Sequence, residues 1–142
     1  MKGFTIIELL LSVALVGALA IFSFPVYQSF QSRSDGENAA VIVAQTMRRA
    51  QALSHAMDGD MSWGVKIQGG SIVLFKGETY ASRDTTTDEV FDMPSDITPS
   101  GANEIVFEKF SGLPQSTGTV TLTSNTNETR NITINAQGTI TY

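Results

Sequence analysis

The sequence predicts an α+β fold: a long N-terminal hydrophobic α-helix packs through its C-terminal half against a small antiparallel β-sheet head. Three observations predict this fold. Residues 9–24 form an uncharged, largely apolar run, and beyond residue 40 apolar side chains recur every three or four positions. From residue 63 onward the hydrophobic pattern changes to a period of two. The spacing of three to four residues indicates a helix, and strict alternation indicates strands with one solvated face.

The N-terminal helix is predicted from an apolar segment of membrane-spanning length. Phe4–Phe24 contains 21 residues, about 31 Å as a helix, which matches the hydrocarbon core of a bilayer. Lys2 precedes it and favours a cytoplasmic N-terminus. The segment fits a secretory signal peptide cut after Ala20, an unprocessed signal anchor, or a processed assembly helix. Glu8 distinguishes these three alternatives and favours the processed assembly helix. An acidic residue inside an apolar segment raises the free energy of membrane insertion, so its presence indicates a function.

The residues Lys2-Gly3-Phe4-Thr5-Ile6-Ile7-Glu8-Leu9-Leu10 resemble the prepilin motif of type IV pilins and type II secretion pseudopilins. The resemblance implies that a membrane prepilin peptidase cuts between Gly3 and Phe4 and methylates the new terminal amine of Phe4. It also implies that Glu8 is the assembly glutamate. Pro25 matches as well, since many members of the family carry a proline about twenty residues into the mature helix.

The same resemblance implies the partners and the location of the chain. In the family, the carboxylate corresponding to Glu8 pairs with the terminal amine of a neighbouring subunit and sets axial register; a buried ion pair is a plausible register device. The expected partners are prepilin peptidase, other pilin or pseudopilin subunits, the inner-membrane assembly platform and, before assembly, membrane lipid. The expected location is a single-pass inner (cytoplasmic) membrane protein with its head outside, and afterwards a pilus or pseudopilus.

Four segments follow along the chain: a leader over residues 1–3, a transmembrane and assembly helix over 4–26, an amphipathic helix over 27–57 and a β-rich head over 58–142. Pro25 lacks an amide proton, which predicts a kink near residues 23–26. The core-facing stripe of the second helix is predicted to comprise Ala40, Val43, Ala44, Met47, Ala50, Ser54 and Met57.

The head is predicted to begin with a β-hairpin, 63–68 and 71–76, that turns at Gly69-Gly70. Residues 79–87 are predicted to form a loop and 89–93 a short strand. Further strands are expected over 104–110, 119–124, 130–135 and 139–142. The helix residues 47–52, the early hairpin and the C-terminal residues 132–140 are similar to GspH/FimT-like minor pseudopilins, which implies a minor subunit.

Composition argues against several other functions. The absence of cysteine excludes disulfides and thiol chemistry. From residue 27 onward there are eight Lys/Arg and thirteen Asp/Glu, and this negative charge argues against nucleic acid as a partner. Near the C-terminus Arg130 stands alone beside Glu128, and Arg48-Arg49 is predicted to be a solvated pair.

No motif for catalysis, a cofactor or a metal is recognised. The single histidine, His55, is expected on the helix surface. Asp84, Asp88, Glu89 and Asp92 could cluster around calcium, but no spacing pattern sets their geometry. The predicted function is therefore structural, with no enzyme activity. The alternative is a membrane-anchored exported binding module, such as a pilus-tip receptor for DNA or a surface.

Overall fold

A computed structural model describes residues 3–142, apart from the side chains of residues 22–26, 28 and 29. The chain divides into two compact units, Met1–Gln31 and Ser32–Tyr142. We call the second the globular unit. Lys2 and the side chain of Pro25 lie outside the described residues, so the predicted kink at Pro25 stays a prediction.

One helix, α1, comprises Ile6–His55 and contributes to both units. It ends where Met57 adopts a left-handed conformation (φ 56°) before a short 3-10 turn over Asp58–Asp60. Within the described part of the chain, no helix combines the length and the hydropathy needed to cross a bilayer.

The globular unit contains eight strands in two antiparallel sheets. In the first sheet the strand order is β3-β2-β1-β5, and in the second it is β4-β6-β7-β8. The strands are β1 Trp63–Gln68, β2 Ser71–Lys76, β3 Asp84–Asp92, β4 Ile97–Gly101, β5 Glu104–Phe107, β6 Gly118–Ser124, β7 Thr129–Ile134 and β8 Ile140–Thr141. A second 3-10 turn, Tyr80–Ser82, lies between β2 and β3.

The predicted hairpin is confirmed, with Gln68 opposite Ser71 and Trp63 opposite Lys76. The loop predicted over 79–87 is wrong in its second half. Strand β3 begins at Asp84, which pairs with Lys76, and its run of three threonines suits a strand because β-branched side chains pack well on a pleated surface.

Strand β4 was not predicted, because it contains Pro99. Proline is tolerated there since β4 is an edge strand, where one side of the backbone needs no partner. The strand predicted over 104–110 ends earlier, at Phe107. Phe110 has a left-handed backbone (φ 73°), which is incompatible with continued extended pairing.

The core of the globular unit forms where both sheets pack on one face of α1. The helix contributes small side chains and one large one, Met47, and each sheet contributes its inner face. The alternation of buried and exposed residues along β6 and β7 follows from this one-sided packing. The buried helix residues are Ser32, Ala39, Ala40, Val43, Ala44, Thr46, Met47, Ala50 and Ser54. Met57, predicted in the same stripe, is instead 42% exposed because the helix has already ended.

Candidate functional site

The N-terminal unit begins its helix with a capping box formed by Thr5 and Glu8. The Thr5 backbone carbonyl accepts from the Glu8 and Leu9 amides at 3.1 and 3.2 Å. The Thr5 hydroxyl accepts from the Glu8 amide at 3.4 Å, and a Glu8 carboxylate oxygen accepts from the Thr5 amide at 3.4 Å. This exchange satisfies amides that have no partner in the first helical turn.

Sequence reasoning missed the role of Thr5, although the spacing Thr-x-x-Glu before an apolar run is the usual sign of a capping box. Glu8 therefore has a local function in this chain besides the predicted assembly function. Its carboxylate is exposed and lies in the first turn of α1, where a negative charge is favoured by the helix dipole. The Ser12 hydroxyl donates to the Glu8 carbonyl at 2.8 Å.

The described side chains of the N-terminal segment form an exposed apolar surface. Phe4 is 85% exposed and Ile7 73%. Exposure of 60% or more also holds for Ile6, Leu9, Leu10, Leu11, Val13, Leu15, Val16, Leu19 and Ile21. A shallow groove of about 400 Å³ is lined by Ser12, Val13, Val16 and Gly17. Apolar surface this extensive marks an interaction site for protein or membrane.

The predicted cleavage residues lie ahead of the helix. Gly3 and Phe4 are exposed and have no regular secondary structure. Apart from the two chain neighbours of Gly3, no atom of the described residues lies within 4 Å of where a Gly3 side chain would begin. Cleavage after Gly3, methylation of Phe4 and the assembly functions of Glu8 and Pro25 stay predictions.

Arg48 and Arg49 contact edge strands of different sheets. Arg49 forms an ion pair of 2.6 Å with Glu89 on β3, the edge strand of the first sheet. Arg48 donates to the Ile140 carbonyl of β8, the edge strand of the second sheet, and its guanidinium lies 5.5 Å from the centre of the Tyr142 ring. Both arginines are exposed, as predicted, but each also joins α1 to a sheet.

The outer face of the first sheet has a small aromatic and ionic cluster of its own. The Tyr80 ring meets Phe75 edge to face, with centroids 5.5 Å apart. The guanidinium of Arg83 lies 3.7 Å from the centre of the Tyr80 ring and donates to Asp88 at 2.8 Å. This hydrogen bond raises the pKa of Arg83. These contacts hold the 77–83 segment over Phe75. We therefore interpret the cluster as a packing feature and not as a reactive site.

Three of the four acidic residues considered for calcium, Asp84, Asp88 and Glu89, interact with different partners. Asp88 bonds Arg83, Glu89 bonds Arg49, and Asp84 accepts from the Thr86 amide and hydroxyl. The hydrogen bonds from Thr86 hold the pKa of Asp84 below its ordinary value. Across residues 3–142, as far as their side chains are described, no three acidic or histidine side chains are grouped closely enough to hold a metal ion.

The comparison that decides the family concerns the globular unit. The family described as "Type II transport protein GspH" matches residues 37–138, which include the C-terminal part of α1 and almost all of the strands. This chain belongs to the GspH family. The family match begins after the prepilin-like motif, so the motif and the match are independent indications of a pilin-type protein.

A curated relative points the same way. The chain is 38% identical over 69 residues to the type IV major fimbrial protein FimA of Dichelobacter nodosus. The aligned part is 45% of this GspH-family chain and 43% of the fimbrial protein, so the chain spans less than half the length of that relative. No solved structure matches the chain. Together, the family match and this relative support the pilin and pseudopilin superfamily and structural subunits as the class of function.

Proposed function

We propose that this chain is a structural subunit of a type IV pilus or a type II secretion-type pseudopilus. In this proposal, prepilin peptidase cuts between Gly3 and Phe4 and methylates the Phe4 amine, and the subunit assembles through its N-terminal helix. The observation that carries the proposal is an exposed apolar helical surface containing a single carboxylate, Glu8, four residues after Phe4.

The apolar side chains of the N-terminal helix are stabilised when a membrane or another protein removes them from water. Each apolar side chain that moves from full exposure to full burial contributes about 1.5–3 kcal/mol. Before assembly the environment is the lipid bilayer, which the segment crosses once with its N-terminus in the cytoplasm. After assembly it is the same helical surface of neighbouring subunits. The inner-membrane assembly platform transfers the helix from one environment to the other.

Glu8 gives the assembly its axial register. Within one subunit, residues 4 and 8 are separated by about 6 Å along the helix axis. The Phe4 amine of a neighbouring copy, shifted by a similar distance, can meet the Glu8 carboxylate directly. An unpaired charge left in an apolar environment costs several kcal/mol, so misaligned neighbours are disfavoured.

We propose no catalytic activity for the chain. His55, its one histidine, is exposed at the C-terminal end of α1. The neighbouring residue, Ser54, is fully buried, and its hydroxyl accepts from the Trp63 amide at 2.9 Å and donates to the Phe107 carbonyl at 3.1 Å. Ser54 is therefore a structural link between α1, β1 and β5 and is not presented to a substrate.

Mass spectrometry of the mature N-terminus tests the proposal. Chain isolated from cells that assemble the filament should begin at a methylated Phe4, and Gly3→Val should leave the leader attached. The matched control is Gly69→Val, placed at an exposed glycine of the hairpin turn and expected to leave processing unchanged. A mature N-terminus at Ile21, or an intact Met1 in the wild-type chain, would refute processing by this route.

A further inference from the structure

Strand β3 forms one edge of the first sheet. The strand order β3-β2-β1-β5 gives β3 a single neighbour, β2. Near the C-terminal end of β3, the register places Phe91 opposite Ile72 and Asp92 opposite Ser71. The other side of an edge strand presents backbone groups that have no partner in the sheet, and a second extended chain can bond to them.

The hydrogen-bond pattern identifies the backbone groups that face this free edge. The Met93 amide donates to the Gly70 carbonyl at 3.1 Å, one step beyond the last pair of the ladder. In an antiparallel ladder, pairs that bond each other alternate with pairs that do not. Phe91 therefore bonds β2, whereas the amides and carbonyls of Val90 and Asp92 point away from it. Among the residues that the structure describes, none bonds these outward groups.

A groove lies along the same edge, within the globular unit. We call it the edge groove. It has a volume of about 460 Å³, which is in the range of protein binding pockets. Its lining comes from Ile42, Gln45 and Arg49 of α1 and from Val90, Phe91 and Asp92 of β3. The two residues with outward backbone groups therefore also line the groove, so a chain that bonded to the edge would place side chains in it.

A strand added at this edge would have one apolar face and one solvated face, because successive side chains of a strand alternate. On the inner face, Phe91 and Ile42 are both partly buried against the core, and both line the edge groove. On the outer face, Val90 is 60% exposed and Asp92 is also exposed. The inner side chains of a matching strand are therefore apolar, and its outer side chains lie beside Asp92.

The charges along the edge favour a basic partner. Arg49 and Asp92 are the two ionisable residues that line the edge groove. Arg49 is paired with Glu89 at 2.6 Å, so these two charges offset each other. Asp92 lies opposite Ser71 and has no ionic partner among the described residues.

The other acidic residues of β3 are compensated. Asp88 pairs with Arg83 at 2.8 Å, and Asp84 lies opposite Lys76 at the far end of the strand. Asp92 is therefore the uncompensated charge of this edge, and a lysine or arginine on the partner would complement it.

We propose that the edge groove binds an extended segment of another protein, which joins the first sheet as a strand beside β3 and alternates apolar with basic side chains. Its apolar side chains contact Ile42 and Phe91, a basic side chain pairs with Asp92, and the backbones of Val90 and Asp92 supply the hydrogen bonds. The inference does not depend on the proposed function of the N-terminal helix, so its failure would leave that function standing.

Charge disfavours β3 of a second copy as the occupant. The strand Asp84–Asp92 carries carboxylates at Asp84, Asp88, Glu89 and Asp92 and contains no basic residue. Pairing two such strands would bring acidic side chains of both copies together, and like charges that face each other destabilise a sheet. A basic segment of a different protein does not meet this repulsion.

A synthetic peptide of this chemistry tests the edge groove. The probe is fluorescently labelled Thr-Lys-Leu-Lys-Leu-Lys-Thr, added to the full chain in detergent micelles, with micelles alone as the background. We expect saturable binding in fluorescence polarisation, about tenfold tighter than for matched probes in which Glu replaces Lys or Ser replaces Leu.

Amide hydrogen exchange, followed by NMR, locates the bound probe. The amides of Val90 and Asp92 should exchange about tenfold more slowly in the complex, because they gain carbonyl partners from the probe. The Phe91 amide already bonds β2, so its exchange should change by less than about twofold.

Two pairs of variants separate the backbone bonds from the charge. Val90→Pro removes the outward amide at a position where an edge strand tolerates proline. It should weaken probe binding about tenfold relative to Val90→Thr, which keeps that amide. Asp92→Lys should weaken binding about fivefold at low salt. Glu78→Lys makes the same change of charge at an exposed position outside the edge groove and should stay within about twofold of wild type.

Thermal unfolding of each variant shows whether a loss of binding reflects folding. If Val90→Pro does not fold, the comparison of Asp92→Lys with Glu78→Lys and the amide exchange of the wild-type chain decide the matter.

Slower exchange at the amides of Val90 and Asp92, together with weaker binding to Asp92→Lys than to Glu78→Lys, would support strand addition at this edge. The proposal is overturned if the probe leaves both amides unchanged, or if Asp92→Lys binds the probe as tightly as Glu78→Lys. Protection of the same amides without the probe, rising with the concentration of the chain, would assign the edge to a second copy and would also overturn the proposal.

Discussion

Glu8 takes part in a capping box and is proposed to pair with a neighbouring amine, and three substitutions distinguish these functions. Glu8→Gln removes the charge but keeps a side-chain oxygen that can accept from the Thr5 amide, since glutamine also serves in a capping box. Thr5→Ala removes the capping hydroxyl and keeps the carboxylate. Glu8→Ala removes both interactions. If assembly depends on the charge, Glu8→Gln should resemble Glu8→Ala and differ from Thr5→Ala.

The expected magnitudes are well separated. The hydrogen bonds between the side chains and amides of Thr5 and Glu8 are long, 3.4 Å each, and exposed to solvent. Thr5→Ala removes the bond from the Glu8 amide to the Thr5 hydroxyl and leaves the bond from the Thr5 amide to the Glu8 carboxylate. It should therefore cost about 1 kcal/mol or less, which corresponds to about a fivefold change at most. Leaving the proposed amine partner unpaired inside a filament costs about 3–5 kcal/mol. That is at least a hundredfold in assembly.

The assay compares the chain in sheared filaments with the total chain in cells, together with mass spectrometry of its N-terminus. All three variants should be inserted and cleaved normally. Glu8→Gln and Glu8→Ala should fall below about one hundredth of wild-type incorporation, whereas Thr5→Ala should stay within about fivefold. Incorporation of Glu8→Gln at the wild-type level would refute the register function, and a loss in Thr5→Ala equal to that in Glu8→Ala would assign the effect to the cap.

Three further predictions concern the globular unit. Ser54→Ala should destabilise it by about 1–3 kcal/mol in urea unfolding followed by tryptophan fluorescence, because a buried amide loses its acceptor; Ser100→Ala, at an exposed hydroxyl, should change stability by less than about 0.5 kcal/mol. Gly138→Ala should destabilise by about 1–3 kcal/mol in the same assay, since its φ is +78° and a methyl group would meet the Gln51 amide. In an NMR titration the Asp60 carboxyl should have a pKa below 3.8, and Lys109→Met should return it toward that value. The pKa of Asp60 is lower in the folded state than in the unfolded state. The Asp60–Lys109 pair therefore stabilises the fold at pH values above the unfolded-state pKa, and this stabilisation is lost as the pH falls through the folded-state pKa.

Local patterns were sufficient for much of the fold. The hairpin was predicted with the correct strand bounds because Gly69-Gly70 separates two alternating segments of equal length. The helical stripe identified most of the buried helix residues because a 3.6-residue period places them on one face. Strands β3 and β4 were harder to predict from the sequence. Asp84–Asp92 is polar and Ile97–Gly101 contains a proline, and both become strands only by pairing with β2 and β6, respectively.

The candidate sites also differ in whether they could be predicted from local sequence. The prepilin-like motif is contiguous, so Gly3, Phe4 and Glu8 could be recognised without a fold, and the cap formed by Thr5 was equally visible in the Thr-x-x-Glu spacing. The approach of Phe110 to the end of α1 was not visible, because Met57 and Phe110 are distant in sequence and their amides meet at the Ser54 carbonyl only when the loop after β5 folds against the helix.

By itself, the sequence determined the class of fold, the apolar N-terminal helix and the resemblance to pilin-type proteins, since these depend on residues that are near one another along the chain. Only the tertiary structure decided that the strands form two sheets, that Arg48 and Arg49 contact edge strands of different sheets, and that Ser54 links α1 to β1 and β5. The physical reason is that burial and ion pairing depend on distances between segments, and local propensity does not specify those distances.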